Sequence, residues 1–353
     1  MKILHLAAGN RWTGAAAPAF AEVEALRAAG VDAHFAYVGG YKLETKLAGH
    51  SFAHPIIDRA QNPVSFLRTV KAIRKLVSEL GIDILHAHLT WDHLLARVAA
   101  RGSRVVVART FHSRRTLRRD VFTSWLVKGT GPLFVINETF LGSPVLRGRG
   151  VYTPPPLDSR LFNPVGPNVR STYSIDPSTK VIAVIGKLSP GRGFEAALRA
   201  FALVHEVNAA AKLLIIGHGE HRPALEALAA ELSIDPHVIW AGYHEDDLPQ
   251  HYRAADALLF TAAGSDEGHR AVLEALGCGL PVASYPIAGV ESLLGPLAGQ
   301  WMAGEATPEA LAAVVVKAIA RAPEKNRPAA VARSAQFTLD RAAQRLIDGY
   351  PFG

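Results

Sequence analysis

The sequence predicts an α/β protein made of two Rossmann-like halves, and three features predict it. Short apolar runs alternate with longer helical patterns through both halves, the pattern of parallel βαβ units. Between the halves lies TPPPLDSRLFNPVGPNVRSTYSIDPS, rich in Pro, Gly, Ser and Asn, which sustains neither a helix nor a central strand. After residue 305 Ala-rich helical stretches take over, and the last, 336–349, is expected to cross back onto the first domain. The boundaries that follow are an N-terminal domain at 1–160, a linker at 161–179, a C-terminal domain at 180–335 and a crossing helix at 336–353.

Strands are expected near 2–7, 32–38, 83–88, 104–109, 132–136 and 150–153, then near 180–185, 211–216, 237–241, 256–260 and 281–285. The opening run is too short, and too soon interrupted by Gly9, Asn10 and Arg11, to read as a signal peptide, and is expected to be a core strand. No run of 18 apolar residues is present, so no membrane-spanning helix is expected.

At 353 residues, 49% hydrophobic and 20% charged, the chain has room for two ordinary domains. Its single cysteine, Cys278, excludes an intramolecular disulfide and a cysteine metal cage, and fits a reducing, cytoplasmic setting. The net charge of +7 is unevenly shared: residues 1–176 hold 23 Lys and Arg against 12 Asp and Glu, and 177–353 hold 15 against 19. A basic first half points to an anionic partner, either an acidic acceptor molecule or an anionic membrane surface. Nucleic acid is not expected, since no recognition motif for it is visible.

The stretch GSDEGHRAVLEALGCGLPVASYPIAGVE, from residue 264, reads as a ligand shelf. Asp266 and Glu274 stand eight positions apart around a helix expected over 268–277, whose first amides, at Gly268 and His269, favour an anion such as phosphate. The Glu274 carboxylate suits the vicinal diol of a ribose, and the earlier acid suits the hydroxyls of a second sugar. Upstream, Gly186-Lys187-Leu188-Ser189-Pro190-Gly191-Arg192-Gly193 puts two cations around a turn at the end of a strand, where open α/β sheets bind ligands. Lys187 and Arg192 suit a diphosphate and the charge that builds on it as a leaving group. Gly217 and Gly219, after another strand, permit close approach by a ligand or by neighbouring backbone.

In these motifs the chain resembles the retaining GT-B glycosyltransferases of family 4, whose signature is an acid, seven residues, Glu, then Ala-Leu-x-x-Gly-x-Pro-Val. Here that reads Asp266 to Glu274 followed by ALGCGLPV. The family carries Glu at the first acid, so Asp266 and its neighbour Glu267 both remain candidates for that role. The resemblance implies two Rossmann-like domains facing a cleft and transfer of a sugar, with retained configuration, from a UDP-, GDP- or ADP-sugar to a hydroxyl. It implies catalytic roles for Asp266, Lys187, Arg192 and His112, the last in a Thr-x-His segment at 110–112. For the donor it implies Gly14 in an N-terminal glycine loop, Gly186, Gly217, Gly219 and Tyr243, together with Glu267, Gly268, His269 and Glu274. Related enzymes use a basic, partly amphipathic segment to rest on anionic membranes; here Arg114, Arg115, Arg118 and Arg119 are followed by Phe122 and Trp125. The acceptor is then a glycan or lipid-linked molecule such as lipopolysaccharide or another surface polysaccharide, met at the inner face of the membrane.

No cofactor and no metal are expected. His86 and His88 alternate onto one face of a strand and His93 follows, but no carboxylate or cysteine completes a set at typical spacing, and no Asp-x-Asp motif is present. Two cations and a helix N-terminus are expected to neutralise the diphosphate without a divalent ion. Two other readings share the shelf: a GT-B nucleotide-sugar epimerase, and a relative that binds a donor without turning it over. A dinucleotide dehydrogenase is set aside because no Gly-x-Gly-x-x-Gly follows the first strand.

Overall fold

The structure is a computed structural model and describes all residues except 10, 11, 13, 14, 41, 61, 263–266, 322 and 353. It divides into two units. The first comprises Met1–Pro156, Ser265–Gly268 and Leu339–Gly353, and the second Leu157–Gly264 and His269–Thr338.

The first unit runs β1 (Lys2–Ala7), α1 (Ala16–Ala28), β2 (Asp32–Val38), α2 (Lys42–Leu47), β3 (Ala53–Ile57), α3 (Pro63–Leu80), β4 (Ile84–Ala87), α4 (Thr90–Ala99), β5 (Val106–Phe111), α5 (Val121–Lys128), β6 (Leu133–Val135) and β7 (Gly150–Tyr152). Its seven described strands are parallel, in the order β3-β2-β1-β4-β5-β6-β7. β3 lies outside the strands expected from sequence. Pro55 interrupts it and removes a ladder donor, which an edge position tolerates. The pairing slips there, with Ala36 opposite His54 and Val38 opposite Ile57.

Alternation along β1 explains the two cores of this unit. Leu4 and Leu6 join Leu85 and Ala87 on the α3 and α4 side. Ile3, His5 and Ala7 face the opposite way, where α1 lies. α3 starts at a reciprocal cap, in which Asn62 accepts from the Ser65 amide and Ser65 accepts from the Asn62 amide, with Pro63 at the first helical position. It stops at Gly81 in the left-handed region (φ 67°).

The second unit runs β8 (Val181–Ile185), α6 (Phe194–Val207), β9 (Lys212–Ile216), α7 (Arg222–Glu231), β10 (Val238–Gly242), α8 (Leu248–Ala254), β11 (Ala257–Phe260), α9 (Arg270–Gly277), β12 (Val282–Ser284), α10 (Val290–Leu294), α11 (Ala298–Trp301), α12 (Pro308–Ala320) and α13 (Pro323–Ser334). Its parallel sheet has the order β10-β9-β8-β11-β12. Near-continuous apolar strands such as VIAVI and KLLII are buried on both faces, as expected for a sheet covered by helices on each side.

The segment 161–179 is pinned to this unit. Arg170 donates to the Ala254 carbonyl and pairs with Asp256 at 2.8 Å, while Arg253 donates to the carbonyls of Leu161 and Asn163. The final helix, α14 (Leu339–Gly349), belongs to the first unit, where Ala342, Ala343 and Leu346 are buried and the helix packs against α1. This spacing of three and four residues makes one apolar stripe. Cys278 is buried, and burial pushes its thiol up to about 12.

Candidate functional site

In the second unit strand order reverses beside β8, since β9 lies on one side of it and β11 on the other. Loops leaving the C-terminal ends of two such strands diverge and leave room for a ligand. The turn after β8 carries Gly186, Lys187 and Arg192, and the loop after β11 leads to α9. The two are close enough that a Cβ on Gly193 would meet the Thr261 side chain.

Lys187 is well exposed, with Nζ 3.5 Å from a Glu220 carboxylate oxygen. Arg192 is half-exposed on the same turn. The glycines next to them have a defined task. Gly217 has φ 148°, and a Cβ there would overlap the Gly186 carbonyl oxygen; one on Gly219 would overlap the Leu188 carbonyl. Backbone hydrogen bonds run from Gly186 to Ile216, from Leu188 to His218 and from Gly217 to Gly242. The close approach is therefore that of neighbouring backbone, turn upon turn. Gly217→Ala is expected to lower stability by about 1–3 kcal/mol from backbone strain alone, read as a shift of the urea midpoint.

Beside these turns, Tyr243 is about half-exposed, its ring edge-on to His218 with centroids 5.2 Å apart and its hydroxyl donating to Glu245. Glu274 lies on α9, where the fully buried Tyr252 donates its hydroxyl to Oε2 at 2.8 Å. Burial, then the charge of Glu274 and this bond, hold the Tyr252 hydroxyl well above its usual range, and the bond fixes the carboxylate's direction. His269 caps α9 from the left-handed region (φ 53°). It is buried, its Nε2 lies 3.0 Å from the Ala288 carbonyl, and its ring is edge-on to Phe260. A non-glycine residue in that conformation at a helix start marks a locally over-determined loop.

Asp266 and Gly14 lie outside the described residues. Glu267 and Gly268 belong to the first unit. The Glu267 carboxylate accepts from Ser113 Oγ at 2.6 Å and from the Arg114 amide, and its carbonyl accepts from Asn137.

His112, in the same unit, opens a line of imidazoles. Its Nε2 lies 2.9 Å from His88 Nδ1, and His88 Nε2 lies 2.9 Å from His5 Nδ1. His86 bridges Thr110 and Tyr350, and His93 meets Thr130. Glu22 of α1, a residue sequence reasoning passed over, supplies the carboxylate missing from the histidine spacing: it packs against His5 and His88. Burial holds His5 down to about 3 and pushes Glu22 up to about 8. Also unpredicted is the buried Asp92–Arg109 pair. Arg109 donates to Asp92 and to the Leu89 carbonyl, while the amides of Ala8 and Leu89 donate to the same carboxylate. An arginine inside the buried strand VVARTF was the available signal.

Two family models match the chain: glycosyl transferases group 1 over residues 167–335, and glycosyltransferase family 4 over residues 12–132. Among curated relatives it is similar to the D-inositol 3-phosphate glycosyltransferase of Segniliparus rotundus, 29% identical over 56% of this chain and 45% of that one. It is also similar to the GDP-mannose-dependent alpha-(1-6)-phosphatidylinositol monomannoside mannosyltransferase of Mycolicibacterium smegmatis, 29% identical over 37% of each chain. The chain thus spans less than half the length of either relative. Among solved structures, Anabaena HepE in complex with UDP matches with a TM-score of 0.81 at 16% identity, covering 99% of both chains. Residues 12–132 match glycosyltransferase family 4 and residues 167–335 match glycosyl transferases group 1, so the chain belongs to the glycosyltransferases of these families, and the fold it shares with HepE is GT-B.

Proposed function

We propose that the protein transfers a sugar from a nucleoside-diphosphate sugar to a hydroxyl of a glycan or lipid-linked acceptor, with retained anomeric configuration and without a divalent metal at the diphosphate. The observation that carries this is the pairing, at the switch point of the second sheet, of a cationic turn after β8 with the Glu274 carboxylate of α9, oriented by buried Tyr252 of α8. In this reading Glu274 accepts the ribose hydroxyls and Tyr243 stands beside the base. Lys187 and Arg192 hold the diphosphate, and their attraction strengthens as the glycosidic bond breaks and charge collects on the leaving oxygen. Gly186, Gly217 and Gly219 set the height of the turns, and His269 fixes the start of α9, after Gly268. His112 and either Asp266 or Glu267 serve the transferring sugar. The departing phosphate oxygen takes the acceptor proton on the face from which it leaves, so no enzyme nucleophile is required.

The names of the relatives support the two substrate classes. HepE is described with UDP, one relative is GDP-mannose-dependent, and two carry phosphorylated inositols in their names. An anionic acceptor agrees with the basic first half of the chain.

The membrane reading rests on α5. Thr123, Leu126 and Val127 are buried, whereas Val121 is 87% exposed and Phe122 and Trp125 are each 47% exposed, with Arg114, Arg115, Arg118 and Arg119 exposed just before them. Apolar side chains backed by arginines suit the surface of an anionic bilayer. No helix among the described residues is long and apolar enough to cross a membrane.

Roles within the acid pair are separated by mutation. Glu274→Ala is expected to weaken nucleotide binding in calorimetric titration, and Asp266→Ala to reduce turnover with binding retained. Loss of activity in Glu267→Ala with activity kept in Asp266→Ala would move the first acid by one residue.

A further inference from the structure

The first unit contains a buried set of side chains that sugar transfer does not use. His5 on β1, His86 and His88 at the end of β4, and Glu22 on α1 are all buried, and one ligand-type atom from each lies within 4.8 Å of the others. The sheet register explains the gathering: His5 pairs with His86, so both leave the sheet on the same face, and His88 follows two positions on. α1 lies across that face and turns Glu22 inward.

Three of these atoms form a small triangle. His5 Nδ1 to His88 Nε2 is 2.9 Å, His5 Nδ1 to Glu22 Oε2 is 3.8 Å, and His88 Nε2 to Glu22 Oε2 is 3.9 Å. A point about 2.1 Å from all three exists at the centre, which is the bond length of zinc to imidazole nitrogen and to carboxylate oxygen. Hydrogen bonding within the protein leaves the set incomplete. The Glu22 Oε2 and His5 Nε2 atoms are fully buried and have no hydrogen-bond partner among the described residues, whereas buried polar atoms are ordinarily paired. Part of the outer shell is already built, on the His88 side. His88 is held through Nδ1 by His112, and His86 is held at both nitrogens, by Tyr350 and Thr110, and stacks on the His88 ring at 4.7 Å. Such second contacts fix ring orientation at metal centres.

We propose that His5, His88 and Glu22 form a structural site for a divalent transition metal of the zinc class, joining β1, the end of β4 and α1, with His86 packed against it. Two imidazoles and a carboxylate suit zinc and its neighbours rather than magnesium or calcium, which prefer all-oxygen shells. The ion enters as the chain folds, because the ligands come from three elements that meet only in the native core.

The test uses the full chain, unfolded in guanidinium with a chelator, freed of both, and refolded with one equivalent of zinc or cobalt. Elemental analysis after gel filtration is expected to find about one ion per chain, and the cobalt form is expected to show visible bands of low-coordinate cobalt. Glu22→Gln and His5→Gln are each expected to lower affinity at least tenfold, with circular dichroism reporting whether each has folded. His244→Ala serves as the control, because His244, Asp247 and His251 form a second, partly exposed group of ligand-type atoms in the other unit. Its zinc content is expected to equal that of the wild type. The proposal is overturned if refolded wild-type protein retains no ion, if folded Glu22→Gln binds as tightly as wild type, or if His244→Ala is the variant that loses the metal. The wild-type measurement decides even where a variant does not fold.

Discussion

Lys187→Ala is expected to slow sugar transfer by roughly 30-fold to 1000-fold, the equivalent of about 2–4 kcal/mol of transition-state stabilisation, with little change in folding midpoint. The two halves of this expectation have separate causes. In the resting protein Lys187 pairs with Glu220, and both side chains are more than 60% exposed. An ion pair so exposed is screened by solvent and contributes little to stability, so its loss is hard to see in a melt. In the reaction the ammonium faces a leaving diphosphate whose charge grows as the sugar departs, and that interaction belongs mainly to the transition state. Steady-state kinetics should therefore show a fall in kcat larger than the rise in KM. Lys187→Arg keeps the charge and is expected to recover part of the rate. A variant with normal kcat would remove the cationic turn from the mechanism.

Asp92→Ala is expected to cost about 3–5 kcal/mol of stability, because it strands a buried guanidinium. Asp92 and Arg109 are each at most 1% exposed, and the carboxylate accepts from Arg109 and from the amides of Ala8 and Leu89. Burial pushes the Asp92 carboxyl up to about 7, against the pull of Arg109 and those amides. Removing Asp92 leaves Arg109 the Leu89 carbonyl but no counter-charge, and frees the amides of Leu89, at the start of α4, and of Ala8, just after β1. The double variant Asp92→Ala with Arg109→Leu is expected to recover much of the loss, since a well-packed apolar pair often replaces a buried ion pair at no cost. Guanidinium denaturation of the single and double variants gives the coupling energy. A double variant less stable than Asp92→Ala alone would contradict this account of the pair.

Much of the fold was legible because parallel strands covered on both sides are written as continuous apolar runs, as in VIAVI and KLLII. β3 was not, since a five-residue edge strand with Pro55 at its middle carries neither the run nor the alternation. The cationic turn and the spacing of Asp266 and Glu274 could be read directly, because both are local in sequence. Tyr252, which orients Glu274 from 22 residues away, could not. The same limit hid Glu22. Histidines two apart on one strand announce a shared face, but the carboxylate that meets them arrives on a helix more than sixty residues earlier, and only the packing of α1 on the sheet brings it there. At Gly217 and Gly219 the residue type indicated close approach correctly and left its object open; the object is the carbonyls of Gly186 and Leu188.

The most direct test of the central claim is thermal stabilisation of the purified protein by UDP, GDP and ADP and their common sugar conjugates, with and without magnesium. A ligand bound only by the native state at about 100 times its Kd adds about 2.7 kcal/mol, a shift easily resolved. A clear shift for one nucleotide is expected, indifferent to magnesium, with the shift by the free diphosphate, which carries the leaving-group charge, reduced in Lys187→Ala. No shift with any of them, or an undiminished shift by the free diphosphate in Lys187→Ala, would contradict a donor site built on the turn after β8.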